Sequence, residues 1–317
     1  MLKALIVGID YYDNLPSLSG CVNDSYSVKS VLERNSDGTR NFDVNLMTAT
    51  GEKSALSRKE VKNAIEELFR DDSEIALLYF AGHGFIDTSG GFLVTSDCTD
   101  GDDGVSMDEI LCFANESKAR SKIIVLDCCH SGIAGTSKHA GNCAVLSEGV
   151  TILTASSAEQ YAMEDDEGGV FTSLLVDALN GGAANLVGEI TPGSIYAHID
   201  QSLGAWEQRP IFKTNVKTFT SLRKVQPPIE LEDLKRITEL FPSLGEEFQL
   251  DPSFEPEEDS ACEENTERFA VLQKLNRVNL VVPVEEEHMY FAAIHSKSCK
   301  LTVLGEHYWK LVKNNRL

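Results

Sequence analysis

No run of apolar residues in this chain approaches the roughly 18 that a bilayer-crossing helix needs, so a membrane role is not expected. Its eight cysteines contain no Cys-x-x-Cys pair and no regular spacing. That pattern argues against zinc and against a disulfide scaffold, and points to reduced thiols. No Gly-rich loop ends in Lys-Ser or Lys-Thr, which excludes a P-loop NTPase. Basic residues are scarce: 28 Lys and Arg stand against 50 Asp and Glu, a formal net charge of -22. Such a field repels phosphate backbones and no basic patch relieves it, so nucleic acid is not an expected partner, whereas basic proteins and substrates are. The first apolar segment, 4–9, is too short and too soon followed by Asp10 to act as a secretory signal, and the expected location is the cytoplasm. No internal repeat of 20 to 50 residues is present.

Alternating strands and helices fill the first two thirds, the pattern of an α/β domain with a largely parallel sheet. The segments 4–9, 42–47, 75–81, 122–126, 150–154 and 210–215 read as strands. Several are continuous hydrophobic runs, as strands covered on both faces should be. A helix is expected over 24–33. Ser57 with Glu60, and Ser106 with Glu109, have capping-box spacing for two more, and Thr191 before Pro192 opens another. The domain is expected to occupy 1–220. Residues 221–265 read as a linker: two adjacent prolines, one helix near 231–241, then ten acidic residues over 246–267 without a Lys or Arg. In the last segment, 266–317, a helix over 269–275, a two-stranded ribbon from 280–284 and 289–295, and a closing helix over 302–313 suggest a small winged-helix-like α+β module with Tyr308 and Trp309 in its core.

Two strand ends carry reactive residues followed by small ones. The first is Tyr79-Phe80-Ala81-Gly82-His83-Gly84, which leaves an imidazole between glycines at the carboxyl edge of the sheet, where open α/β folds hold their ligands. The second is Ile124-Val125-Leu126-Asp127-Cys128-Cys129-His130-Ser131-Gly132. If these strands are neighbours, His83 and Cys129 share a crevice. A thiol of ordinary pKa, about 8.5, is mostly protonated at neutral pH, and a nearby imidazole shifts it toward the thiolate that attacks carbonyls. The backbone N–H groups of Gly84 and Cys129 are the candidate oxyanion donors.

With these segments the chain resembles the caspase-like clan of cysteine peptidases, and within it the metacaspases, whose hallmarks are a His-Gly pair after one strand and Asp-x-Cys-His-Ser-Gly after the next. Gly20-Cys21-Val22-Asn23-Asp24 and Leu5-Ile6-Val7-Gly8-Ile9 are similar to further metacaspase segments, and the likeness covers about residues 1 to 220. It implies a caspase-like, mostly parallel sheet sandwiched by helices. It also implies Cys129 as nucleophile with His83 as its partner, Cys128 being an inert neighbour. Asp127, on the same strand face as Cys129, and Asp24 would floor a pocket for Arg or Lys before the cleaved bond. Ser156, with Ser157 and Gln160, follows a strand at the same edge and is a candidate for the pocket lining. Where metacaspases often carry Ser two residues before the histidine, this chain has Ala81.

No cofactor is required by this chemistry. Metacaspases are often switched on by calcium, and Asp97, Asp100, Asp102 and Asp103 offer oxygen ligands for it, although their spacing fits no EF-hand. Self-cleavage is expected at Lys138, with Arg223 and Lys224 as further candidates. The remaining cysteines, Cys21, Cys98, Cys112, Cys143, Cys262 and Cys299, read as structural. A monomeric enzyme is expected, regulated inside the cell in a death or defence pathway, with the C-terminal module recruiting a protein partner. The alternative is a catalytically silent caspase-like scaffold that binds protein partners, against which an intact His83 and Cys129 weigh.

Overall fold

Alternation of polar and apolar residues is missing along 4–9, 75–81 and 122–126, central strands covered by helices on both faces, whereas the edge segment 43–46 alternates. The computed structural model describes residues 1–317 except 89, 129–144, 156–163, 166–167 and 205–208. Six strands, β1 (Leu2–Ile9), β2 (Asp43–Ala49), β3 (Ile75–Ala81), β4 (Ser121–Asp127), β5 (Val150–Thr154) and β6 (Ile211–Asn215), form one sheet. Their order is β6-β5-β4-β3-β1-β2. All neighbours run parallel except β6, which is antiparallel to β5 at the edge. The sheet is the mixed, mostly parallel one that the sequence leads one to expect.

Successive side chains of a strand go to opposite faces. Leu5, Val7 and Ile9 of β1, Leu78 and Phe80 of β3, and Ile124 and Leu126 of β4 pack with α2 (Arg58–Arg70) and α3 (Met107–Glu116). Ala4, Ile6, Leu77, Tyr79, Ile123 and Val125 meet α1 (Cys21–Leu32), α4 (Val170–Asp177) and α5 (Pro192–Ser202) on the other side. Each such fully buried aliphatic side chain contributes roughly 1.5–3 kcal/mol of transfer free energy.

The helix starts follow local chemistry. Ser57 and Ser106 close capping boxes with Glu60 and Glu109, and Thr191 caps α5 by accepting from the Ser194 N–H. Each cap is worth about 1 kcal/mol. α1 begins three residues before the expected position, because the Asp10 carboxylate at the end of β1 accepts from the Val22 N–H at 3.3 Å. This non-local cap leaves no capping pattern in the local sequence, and it puts Asp24 in the first turn of α1.

The residues divide into two units, Met1–Ala184 with Gly188–Gln226, and Asn185–Val187 with Pro227–Leu317. The span 221–265 is therefore packed rather than a free linker. Leu222 and Val225 belong to the core of the first unit. Leu234, Ile237, Leu240, Phe241, Leu250 and Phe254 belong to the core of the second. The acidic stretch is folded chain because Leu250 and Phe254 are buried and Phe248 packs against the same core, while of its ten acidic residues Glu255 alone is buried.

The second unit holds the strands β7 (Glu247–Gln249), β8 (Val281–Val284) and β9 (Ser298–Leu301), antiparallel in the order β7-β9-β8, with α6 (Glu263–Arg277) and α7 (Val303–Lys313). Residues 289–295 do not pair as a strand. Met289–Ile294 is a helix whose buried residues, Met289, Ala292 and Ala293, have the i, i+3, i+4 spacing of a helical face. The partner of β8 is β9, so 280–295 forms no hairpin wing. Tyr308 and Trp309 pack against this core, and the indole N–H donates to the Phe241 carbonyl at 2.6 Å.

Candidate active site

β3 and β4 are paired neighbours in register, with Ala81 opposite Asp127. His83 lies two residues beyond Ala81, just past the carboxyl end of β3. Cys129, two residues beyond Asp127 in sequence, lies outside the described residues, as do Ser156, Ser157, Gln160 and Lys138. Cys128 is buried among the α2 and α3 side of the core, as a residue one position from Asp127 on an extended chain should be.

Three groups from the loop after β1 hold His83. The Tyr12 hydroxyl accepts from the His83 backbone N–H at 2.8 Å and donates to the Ile9 carbonyl at 3.2 Å. Burial raises the Tyr12 phenol far above its ordinary value, so it stays protonated and able to donate. Its ring lies 4.7 Å from the imidazole, centroid to centroid. Gly82 admits this contact: a Cβ there would come within 2.7 Å of the Tyr12 hydroxyl oxygen. The third group is the Pro16 carbonyl, 2.8 Å from His83 Nε2. A carbonyl only accepts, so Nε2 carries the proton, and in the neutral ring Nδ1 carries the lone pair. Such an imidazole is a base at Nδ1 with its tautomer fixed from behind. Neither Tyr12 nor Pro16 announces itself in the sequence, since one acts through a hydroxyl that any core Tyr possesses and the other through its backbone.

Asp24 and Asp127 are brought together. Each is nine-tenths buried, and the N-terminus of α4 lies between them. The Gly169 N–H donates to Asp24 Oδ2 at 3.1 Å, and the Thr172 hydroxyl donates to Asp127 Oδ2 at 2.6 Å. A Cβ on Gly169 would lie 2.7 Å from Asp127 Oδ2 and 3.1 Å from Asp24 Oδ2, so both carboxylates face one point. Helix N-termini favour negative charge, here at the first turn of α4. Ala81, buried beside Asp127 in register, brings no hydroxyl, and the hydroxyl at this carboxylate comes from Thr172 instead. Gly84 opens the strand Gly84–Asp87, which pairs with Gly90–Leu93.

Two of the four aspartates of the acidic loop are engaged by neighbouring donors. Asp97 accepts from the Arg58 N–H at 2.9 Å and from the Thr95 hydroxyl at 2.7 Å, and Asp103 accepts from the Thr99 N–H at 2.8 Å. Asp100 and Asp102 are exposed. Among the described residues no three carboxylate, thiol or imidazole groups converge on a metal position. Arg223 and Lys224 are not in open chain either. They form a short strand with Glu189–Ile190, and the Arg223 guanidinium is held by the carbonyls of Arg34 and Leu179 at 2.9 and 2.7 Å. A peptidase takes its substrate as an extended strand, so cleavage at this ribbon requires it to open first.

Among the described cysteines, burial pushes the Cys98 thiol up to about 11 and the Cys299 thiol up to about 12. Cys112 and Cys262 are exposed. Iodoacetamide at neutral pH, followed by peptide mass mapping, is expected to label Cys262 and, more slowly, Cys112, whose thiol is raised by its bond to Glu116. Cys98 and Cys299 should stay unmodified, and labelling of either as fast as Cys262 would contradict their burial.

The family model Peptidase_C14, described as Caspase domain, matches residues 1–225. A search of curated proteins found no match. Among solved structures, protein GSU0716 from Geobacter sulfurreducens superposes with a TM-score of 0.53 at 18% identity, covering 72% of this chain and 98% of that one. Caspase-1 from Spodoptera frugiperda superposes with a TM-score of 0.51 at 16% identity, covering 71% of this chain and 90% of that one. At these identities the likeness to solved structures speaks for the fold. No helix among the described residues is long and apolar enough to cross a membrane.

Proposed function

This chain belongs to the caspase-domain family of cysteine peptidases, and from that premise we propose that it is a metacaspase-like endopeptidase that cleaves after Arg or Lys through Cys129 and His83. The observation that carries the specificity is the convergence of Asp24 and Asp127 on Gly169, at the sheet rim from which His83 projects. A guanidinium or ammonium brought there meets two carboxylates, whereas an aspartate meets like charge.

The reaction follows from the fixed tautomer. Nδ1 of His83 takes the Cys129 thiol proton, and the thiolate attacks the carbonyl carbon to form a tetrahedral oxyanion. The N–H groups of Gly84 and Cys129 stabilise that charge, each donor being worth roughly 3 kcal/mol in the barrier. The imidazolium, steadied by the Pro16 carbonyl, then gives its proton to the leaving amine as the C–N bond breaks. Water, deprotonated by the same nitrogen, hydrolyses the thioester and returns the thiol. Self-cleavage at Lys138, activation by calcium, residence in the cytoplasm and recruitment of a partner by the second unit belong to the same reading, in which death or defence is the setting.

The test is a set of fluorogenic peptides that differ only in Arg, Lys or Asp before the scissile bond, assayed with and without calcium. Hydrolysis of the Arg and Lys peptides, with none of the Asp peptide, is expected. Cleavage after Asp alone would remove the pocket assignment, and hydrolysis of none of the peptides in either condition would favour a scaffold.

A further inference from the structure

A chain of hydroxyl groups beneath the two carboxylates takes no part in the chemistry above. The Thr172 hydroxyl oxygen lies 2.6 Å from Asp127 Oδ2 and 2.6 Å from the Tyr79 hydroxyl oxygen. A carboxylate only accepts, so the single hydroxyl hydrogen of Thr172 points to Asp127, and Tyr79 must donate to Thr172. Both side chains are buried, Thr172 at 1% exposure and Tyr79 at 0%. Burial, and then the charges of Asp127 and Asp24, hold the Tyr79 phenol well above its ordinary range, so it remains a donor at any working pH. On the opposite side the Gly169 N–H holds Asp24, and the missing Cβ leaves room for both carboxylates.

Two like charges crowded in a dry site repel, and either carboxylate relieves the repulsion by turning away. A donor fixed to one oxygen of each removes that freedom. We propose that Tyr79, Thr172 and Gly169 are positioning residues of the basic-residue pocket, which hold Asp24 and Asp127 aimed at one point for a single guanidinium or ammonium. The inference rests on the Arg/Lys reading and deepens it. Thr172 lies 45 residues from Asp127 in the chain and reaches it only because the N-terminus of α4 abuts the end of β4. Because these residues act on binding of the side chain before the scissile bond, their loss should appear in KM, with kcat held.

Thr172→Val keeps the shape and removes the donor. It is expected to raise KM for an Arg peptide about tenfold, the usual effect of losing one hydrogen bond to a charged group, while kcat stays within about twofold. Thr172→Ser should restore KM to within about twofold of the parent, and Tyr79→Phe should raise it about threefold. Binding of an uncleaved Arg peptide by calorimetry, to Cys129→Ala and to Cys129→Ala with Thr172→Val, separates this inference from the reading beneath it. If Cys129→Ala binds no Arg peptide, the Arg/Lys reading falls and the inference with it. If both proteins bind equally, or if Thr172→Ser fails to restore KM, the positioning role alone falls. A fall in kcat at constant KM would likewise overturn it.

Discussion

Replacing His83 by Ala is expected to lower kcat/KM on an Arg peptide by about 10⁴-fold or more, the scale on which loss of a catalytic base acts in enzymes with an activated nucleophile. The size follows from two tasks lost together. Without the imidazole, a thiol of ordinary pKa stays largely protonated near pH 7 and the leaving amine has no positioned acid. The protein should remain folded. Alanine keeps the backbone N–H bond to the Tyr12 hydroxyl; what it loses, the ring contact with Tyr12 and the bond to the Pro16 carbonyl, involves a ring that is only partly covered. Thermal melting within about 2 °C of the parent would reflect the small cost of changing a partly exposed side chain away from the core. The measurement is steady-state hydrolysis beside a melting curve. Residual kcat/KM within tenfold of the parent would remove His83 from the mechanism.

The sheet was readable because the strands that form its centre are near-continuous apolar runs, and a strand buried on both faces leaves that signature. The capped helix starts were readable for a similar reason. Ser57 with Glu60, and Ser106 with Glu109, are local pairs three residues apart, and the bonds they make are local too. What stayed hidden is what the chain builds between distant positions. Asp10 caps α1 from 12 residues before Val22, so the expected helix began late. The Pro16 carbonyl that fixes the His83 tautomer is a backbone group, which no residue type advertises. Thr172 reaches Asp127 through the fold alone. In the second unit, 289–295 reads as the second strand of a ribbon, yet the burial of Met289, Ala292 and Ala293 is helical in period, and tertiary packing decides the outcome. The fold of the acidic stretch is hidden in the same way: its charges dominate the composition, while a few apolar residues, Phe248, Leu250 and Phe254, join the core.

Asp127→Asn is expected to lower kcat/KM for Arg peptides by about a hundredfold, mostly through KM, because a desolvated cation then meets one carboxylate where two had been arranged. The substitution is close to isosteric, and the amide oxygen can still accept from the Thr172 hydroxyl, so the change falls on charge more than on packing. Arg should lose more than Lys. A planar guanidinium can engage two carboxylates through separate donors of its fork, while an ammonium is a point charge that one carboxylate satisfies more fully, so the ratio of Arg to Lys cleavage should narrow. Asp24→Asn removes the partner charge and should act in the same direction. The two substitutions together should fall short of the product of their separate effects, because both carboxylates face a single point and would hold a single cation. Peptides with Asp in that position should remain uncut by every variant, since removing negative charge supplies no cation to receive them. Parallel kcat and KM measurements on Arg and Lys peptides decide the matter, and an Asp127→Asn enzyme with unchanged KM would place the specificity of this peptidase elsewhere than in the paired carboxylates.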